Sequence, residues 1–204
     1  KFKGRRLKKL SKEIKKSITI SIIIVLVVVA IISAFFIIKY FIEKNKIDNV
    51  YETYSDNNVQ NRIETQDTTT NDDLMLKIDG ESVLGVIKID KIGYEGLIYE
   101  GTSLETLDKG IGHFEKSPYL EGNVCLAGHN YSGVWKNLHT IENGDTITYT
   151  SFLGTKEYEV NNVQEIIETD WTLLDNTEEN YLTLITCVKG KPSLRLAVQA
   201  IEKK

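Results

Sequence analysis

The feature that most constrains this chain is an uncharged run of 21 residues, Ile18 to Ile38, made of Ile, Val, Leu, Ala and Phe with two serines and one threonine. A helix rises 1.5 Å per residue, so this run spans about 30 Å, the hydrocarbon thickness of a bilayer. A core helix of that length would carry a polar face. A cleaved signal peptide has a shorter apolar region, about 7–15 residues, ending in a small-x-small site. Ala34-Phe35-Phe36 offers no such site. The run therefore reads as an uncleaved transmembrane anchor over 18–38.

Charge sets the expected orientation. Residues 1–17 carry nine of the 25 Lys and Arg against one acid, Glu13, whereas the remaining residues carry 16 bases against 28 acids. The positive-inside rule places the basic tail 1–17 in the cytoplasm, next to anionic headgroups, and everything after the anchor outside the cell. A net acidic exterior has no electrostatic footprint for DNA or RNA, so no nucleic-acid partner is expected. Two cysteines in 204 residues exclude a disulfide scaffold. No Cys pair has zinc-ligand spacing and no glycine-rich phosphate loop occurs. No cofactor and no metal is expected.

Residues 39–80 read as a flexible extracellular stalk. The stretch is rich in Asn, Asp, Glu, Thr and Gln, and Asp67 to Asp73 has no apolar period. From Glu81 to Lys204 the texture changes to short apolar alternations: Val83–Ile89, Glu95–Tyr99, Asn123–Ala127, Thr146–Thr150, Lys156–Ile167, Tyr181–Cys187 and Leu194–Ile201. Turn signals at Asn143-Gly144-Asp145, Leu153-Gly154-Thr155 and Lys189-Gly190-Lys191-Pro192 separate several of them. This spacing predicts a mostly β domain, a barrel or sandwich of about 120 residues. Ser103–Lys109 predicts one short helix, and Trp171–Leu174 a single helical turn.

Cys187 ends an apolar strand immediately before a Gly/Pro loop, His129 follows the strand ending Ala127-Gly128, and Arg195 opens the last strand. A thiolate nucleophile needs a nearby cation, and an acyl-transfer intermediate needs a donor for its oxyanion. On residue types alone this trio stays open between catalysis and an inert thiol with a loop histidine and an edge charge. Cys125 reads as a buried core thiol. His113 and His139 sit in loop-like contexts. Trp135 and Trp171 are either groove walls or core, and Lys189 and Lys191 read as solvated loop charges.

At these residues the chain resembles the sortases, membrane-anchored cysteine transpeptidases of Gram-positive bacteria. The resemblance rests on Thr183-Leu184-Ile185-Thr186-Cys187, on Ala127-Gly128-His129 upstream, and on Arg195 in the following strand. Gly85-Val86-Ile87-Lys88-Ile89 and Ser103-Leu104 with Leu107 and Gly110 fit the family's early strand and helix. It covers roughly residues 80–202, and the N-terminal anchor also fits.

The resemblance implies a closed sortase-type β-barrel with one or two short helices. It further implies that Cys187 attacks an LPxTG-like sorting signal near the C-terminus of a substrate protein. His129 acts as acid and base, Arg195 steadies the oxyanion, and Thr186 lines the substrate pocket. A cell-wall precursor amine or a pilin lysine is the implied acceptor. An N-terminal anchor, together with no Asp-Pro-aromatic lid and no C-terminal membrane segment, leans towards a class D-like or class A-like enzyme. Some class A members bind calcium. Glu115, Glu121, Glu168 and Asp170 are the carboxylates to inspect here, and solvated surface is the favoured reading. A papain-like or caspase-like hydrolase and a non-enzymatic anchored adhesin or sensor are the rival classes. His129 precedes Cys187, against the papain order, and the Gln-Ala-Cys caspase signature is missing.

Overall fold

The computed structural model describes the backbone of residues 2–55 and 75–204, with side chains over 14–54 and 75–204. The chain divides into two compact units, Lys1–Asn45 and Lys46–Lys204. The first is helical, part of a single helix α1 (Phe2–Ser55). Over Ile14–Tyr54 this helix is long and apolar enough to cross a membrane, and none of its apolar window is buried by protein. Two of its hydroxyls bond within the helix: Thr19 donates to the Lys15 carbonyl at 3.0 Å and Ser33 to Val29 at 2.9 Å. Such back-bonding to i−4 gives these two hydroxyls a partner in an apolar solvent.

The second unit begins with the last turns of α1. Ile47, Val50 and Tyr54, at i, i+3 and i+7, are buried in the core of this unit. The Tyr54 hydroxyl donates to the Val83 carbonyl at 2.6 Å and accepts the Leu76 amide at 2.7 Å. Tyr51 donates to Glu95 at 3.0 Å. This corrects part of the expected stalk over 39–80. Residues 39–55 are helical, and Leu76–Ile78 forms a strand (β1) with Met75 buried before it. Residues 56–74 of that stretch lie outside the described residues. The correction has a simple cause. Three apolar side chains on one helical stripe bury area that the polar composition around them conceals.

Nine strands follow. They are β1, β2 (Glu81–Ile89), β3 (Tyr94–Glu100), β4 (Ile111–His113), β5 (Asn123–Ala127), β6 (Thr146–Ser151), β7 (Gly154–Ile167), β8 (Tyr181–Val188) and β9 (Lys191–Glu202). The sheet order is β1-β2-β3-β4-β5-β8-β9-β7-β6, and β2 also pairs with β6. That last pairing closes β2 to β9 into an eight-stranded barrel with β1 outside the ring. Closure leaves the ring without a free edge. The expected closed, mostly β barrel is the observed fold. Gly85 sits where β2 meets β6; a Cβ there would lie 1.8 Å from the Thr150 carbonyl oxygen.

The helix α2 (Leu104–Lys109) crosses from β3 to its parallel neighbour β4. Ser103 caps it by accepting the Thr106 amide, and the chain leaves it at Gly110. Single 3₁₀ turns lie at Asp90–Ile92, Leu138–Thr140 and Thr172–Leu174. The barrel interior is filled by Trp135, Tyr149, Tyr158, Phe152 and a set of Leu, Ile and Val side chains, all fully buried. A second, smaller cluster lies on the other face of the β8–β9 ribbon, where Ile166, Ile185 and Ala197 pack with Phe114, Leu173 and Leu174.

Removing the Tyr54 hydroxyl leaves a buried carbonyl and amide without their shared partner. Tyr54→Phe is expected to cost about 1–3 kcal/mol, a drop of roughly 2–4 °C in Tm per kcal/mol for a unit of this size. An unchanged Tm in a thermal melt of the chain would show that the helix end does not dock on β2.

Candidate active site

The parallel pairing of β5 with β8 puts Ala127 opposite Ile185. Two residues further along each strand stand His129 and Cys187. Three hydrogen bonds continue the lacing beyond the regular ladder. The Gly128 amide donates to the Ile185 carbonyl at 3.1 Å. The Thr186 hydroxyl donates to the Gly128 carbonyl at 2.7 Å, and the Asn130 side-chain amide donates to the Cys187 carbonyl at 2.7 Å. Residues on both sides of His129 are thus tied to the backbone that carries Cys187. Gly128 admits no side chain: a Cβ there would meet Trp135 at 2.7 Å and Ile111 at 2.8 Å.

Cys187 is exposed and Cys125 is buried. Alternation along β8 explains the rest of the motif. Leu184 and Thr186 face the barrel, and Ile185 and Cys187 face out. Thr186, expected to line the substrate pocket, is instead buried, with its hydroxyl spent on Gly128. Its place is to position the His129 segment.

His129 is partly exposed. Its Nε2 lies 3.4 Å from Oδ1 of Asp108 on α2, and its ring stacks on Tyr131 with centroids 5.1 Å apart. Arg195 stands directly opposite Cys187 in the β8–β9 register. Directly opposed residues of an antiparallel pair project to the same face. The guanidinium donates to Glu168 at 2.9 Å and to the carbonyls of Pro192 and Leu194 at 2.7 and 2.9 Å. The three residues that the sequence singled out therefore come together at one end of the barrel.

Two cavities of similar size lie in this domain, and one of them is lined by Cys187. One, of about 740 Å³, has Cys187 and Val188 in its wall, with Asn130, Tyr131 and Lys136 on one side and Lys189 and Lys191 on the other. The other, of about 730 Å³, lies over the smaller apolar cluster and is lined by Thr102, Phe114, Glu115, Ser117, Trp171 and Leu174 among others. Trp171 is half exposed here and meets Phe114 edge-on at 6.1 Å, whereas Trp135 is core. His113 is not a loop residue: it closes β4 fully buried, with Nδ1 3.1 Å from Glu100 and Nε2 2.9 Å from Ser117. That network fixes the segment carrying Phe114 and Ser117 into the groove wall.

Three of the four inspected carboxylates go to separate partners. Glu121 pairs with Lys156 at 3.0 Å, Glu168 with Arg195, and Asp170 accepts the Thr172 hydroxyl and amide, which hold its carboxyl below the usual range. Among the described residues no group of three or more His, Cys, Asp or Glu side chains is placed to hold a metal ion. Asn130 and Asp108 escaped the sequence reading. The signal for Asn130 was its place directly after the histidine; Asp108 is visible only once α2 is folded beside the β5 end.

A family model described as the sortase domain matches residues 87–203. The chain belongs to the sortase family. Sortase A of Listeria monocytogenes is 30% identical over 131 residues, covering 61% of this chain and 59% of that protein. Sortase D of Bacillus subtilis is 31% identical over 106 residues, covering 50% and 53%. The chain thus spans less than two thirds of the length of these curated relatives. The solved structure of a Clostridium perfringens sortase D5 transpeptidase superposes with a TM-score of 0.62 at 25% identity, covering 79% of this chain and 98% of that one.

Burial pushes the Cys125 thiol up to about 12, while an unfolded thiol titrates near 9.0. At pH 8.5 an alkylating reagent is expected to add one group to the native chain, on Cys187, and to reach Cys125 only after unfolding. The sign of the linkage follows. Above pH 9 the unfolded chain loses this proton first, so stability falls from pH 9 towards 12, and Cys125→Ala flattens that part of the curve. Native labelling of Cys125, mapped by peptide mass, would contradict its burial.

Proposed function

We propose that this sortase is a cysteine transpeptidase that cleaves an LPxTG-like sorting signal and passes the acyl group to an amine. The observation that carries the reading is the convergence of an exposed thiol, a tethered histidine and an arginine in register at one barrel end.

The steps follow from the groups. The Cys187 thiolate attacks the carbonyl carbon of the scissile Thr–Gly-type bond, giving a tetrahedral oxyanion. The C–N bond breaks as protonated His129 gives its proton to the leaving amine, and a thioester remains on Cys187. An incoming neutral amine attacks that thioester, its proton passes to His129, an amide forms and the Cys187 thiolate is released. Arg195 cannot serve as a base, since its guanidinium stays charged; its part is to donate hydrogen bonds to the substrate backbone and the oxyanion. The Phe114, Trp171 and Leu174 cavity suits the apolar start of the signal. The acceptor is a cell-wall precursor amine or a pilin lysine.

For topology, the basic tail 1–17 faces the cytoplasm, 18–38 spans the cell membrane once, and the barrel faces the wall. The similarity to sortases A and D at the sequence level supports a class A-like or class D-like enzyme.

The full 204-residue chain in detergent is expected to form a thioester adduct with an LPxTG-type peptide on Cys187 and a transfer product with an added amine, both seen by mass spectrometry. Cys187→Ala abolishes both. Arg195→Ala lowers turnover by roughly 10²–10³, the scale of one lost oxyanion donor, with little change in Tm. Arg195→Lys recovers only part, because charge returns without the planar fork. Peptide cleavage without any transfer favours a hydrolase instead, and no adduct at all favours a binding domain.

A further inference from the structure

The proposed function leaves open which amine resolves the thioester, and the cavity lined by Cys187 differs in charge from the aromatic one. Over residues 81–204 the domain holds 11 basic and 19 acidic residues, so its general field is negative. The aromatic cavity keeps that character, with Glu115 and Asp175 against Lys116. The cavity with Cys187 in its wall reverses it: Lys136, Lys189 and Lys191 line it against Glu165 alone.

Only Lys191 is neutralised there, by Glu165 at 2.7 Å. Among the described residues neither the Lys136 nor the Lys189 ammonium has a carboxylate partner. The two lie on opposite walls, one on the segment after His129 and one on the β8–β9 turn. The Asn130 bond to the Cys187 carbonyl joins the two segments. Tyr131, which stacks on His129, is in the same lining. An amine seated there meets the thioester on Cys187 directly, with His129 one ring behind Tyr131.

A locally cationic site repels an ordinary alkylammonium ion. It accepts one that carries an anionic group close to its amine, because that group meets Lys136 and Lys189. The same cations disfavour the protonated amine and raise the share of free base, which is the form that attacks. We propose that the 740 Å³ cavity is the acceptor site and that it selects a primary amine bearing a carboxylate or phosphate near the reacting nitrogen. The inference rests on the transpeptidase reading above and narrows it. A lone lysine side chain on a pilin is a poor acceptor in this site; an amine within an anionic cell-wall precursor is a good one.

The chemistry balances within the thioester route. The amine nitrogen bonds to the acyl carbon, the C–S bond breaks, and the amine proton leaves through His129. Lys136 and Lys189 bind the acceptor's anion and take no part in bond making.

The test uses the full chain in detergent with an LPxTG-type donor peptide and paired amines at equal free-base concentration. Glycine is set against glycinamide, and O-phosphoethanolamine against ethanolamine. Wild type is expected to prefer the anionic member of at least one pair, and which pair shows it identifies carboxylate or phosphate as the group read. In Lys136→Ala/Lys189→Ala the ratio of kcat/KM for the anionic to the neutral amine falls by roughly three- to thirtyfold, the worth of two partly exposed charge contacts. The paired arginine variant restores it, and added salt lowers it in wild type. Because each ratio is taken within one variant, a fold defect that depresses both amines does not imitate the effect. Equal use of anionic and neutral amines, or a preference that survives the double substitution, overturns the proposal while thioester formation on Cys187 leaves the transpeptidase reading standing. Absence of that thioester removes both.

Discussion

His129 and Cys187 are far apart in sequence, and one interaction brings them together: the parallel pairing of β5 with β8 and its extension past the last ladder rung. Parallel strands need a long crossover, so the polypeptide between them must first build β6, β7 and the Thr172–Leu174 turn before β8 can add beside β5. The crossover then supplies the barrel's other wall and the Trp171 and Leu174 side of the groove. Beyond Ala127 no regular ladder remains, and three bonds take over, from the Gly128 amide, the Thr186 hydroxyl and the Asn130 amide. Each joins a side chain or amide to a backbone group, so they fix the main chain on both strands and use neither the His129 ring nor the Cys187 thiol.

This arrangement gives a physical meaning to the short motif ending in Cys187. Alternation assigns its residues to two tasks. Leu184 fills the barrel and Thr186 anchors the His129 segment, while Ile185 floors the apolar cluster and Cys187 reaches the rim. A one-residue slip would exchange the two sets and bury Cys187, so the core and the candidate site depend on the same register. Gly128 adds a further constraint, since Trp135 and Ile111 occupy the space any side chain would need.

The barrel was legible in the sequence because its strands alternate and their turns are marked. The trio was singled out there through the resemblance that its motifs carry, and the fold sets its three members at one barrel end. What escaped lies where local pattern is too short or too diluted. β4 is three residues long and β1 is another three, below the length at which alternation is visible. The helix end with Ile47, Val50 and Tyr54 sits in a polar stretch, and its role follows only from burial against the barrel. Thr186 stands next to the thiol in sequence, and that adjacency suggested a shared pocket. In a strand, adjacency means opposite faces. His113 looked like a loop residue for the same reason that β4 was missed.

Arg195 shows how a residue can be placed by register and yet be held by something else. Its backbone is opposite Cys187, but its guanidinium reaches Glu168 and two carbonyls of its own strand entrance, Pro192 and Leu194. Three of its five N–H donors are thereby used. The Glu168 partner is half exposed to water, so this pair contributes at most about 1 kcal/mol. A substrate carbonyl or a developing oxyanion in a groove from which water is excluded gives a stronger bond than a solvated carboxylate. Under the proposed mechanism the exchange runs towards the substrate as the groove fills, and until then Glu168 keeps the cation ordered on the strand opposite Cys187. Glu168 thus holds the arginine side chain near Cys187 with a solvated bond weak enough to be given up, whereas Asn130 and Thr186 tie down the main chain around the histidine.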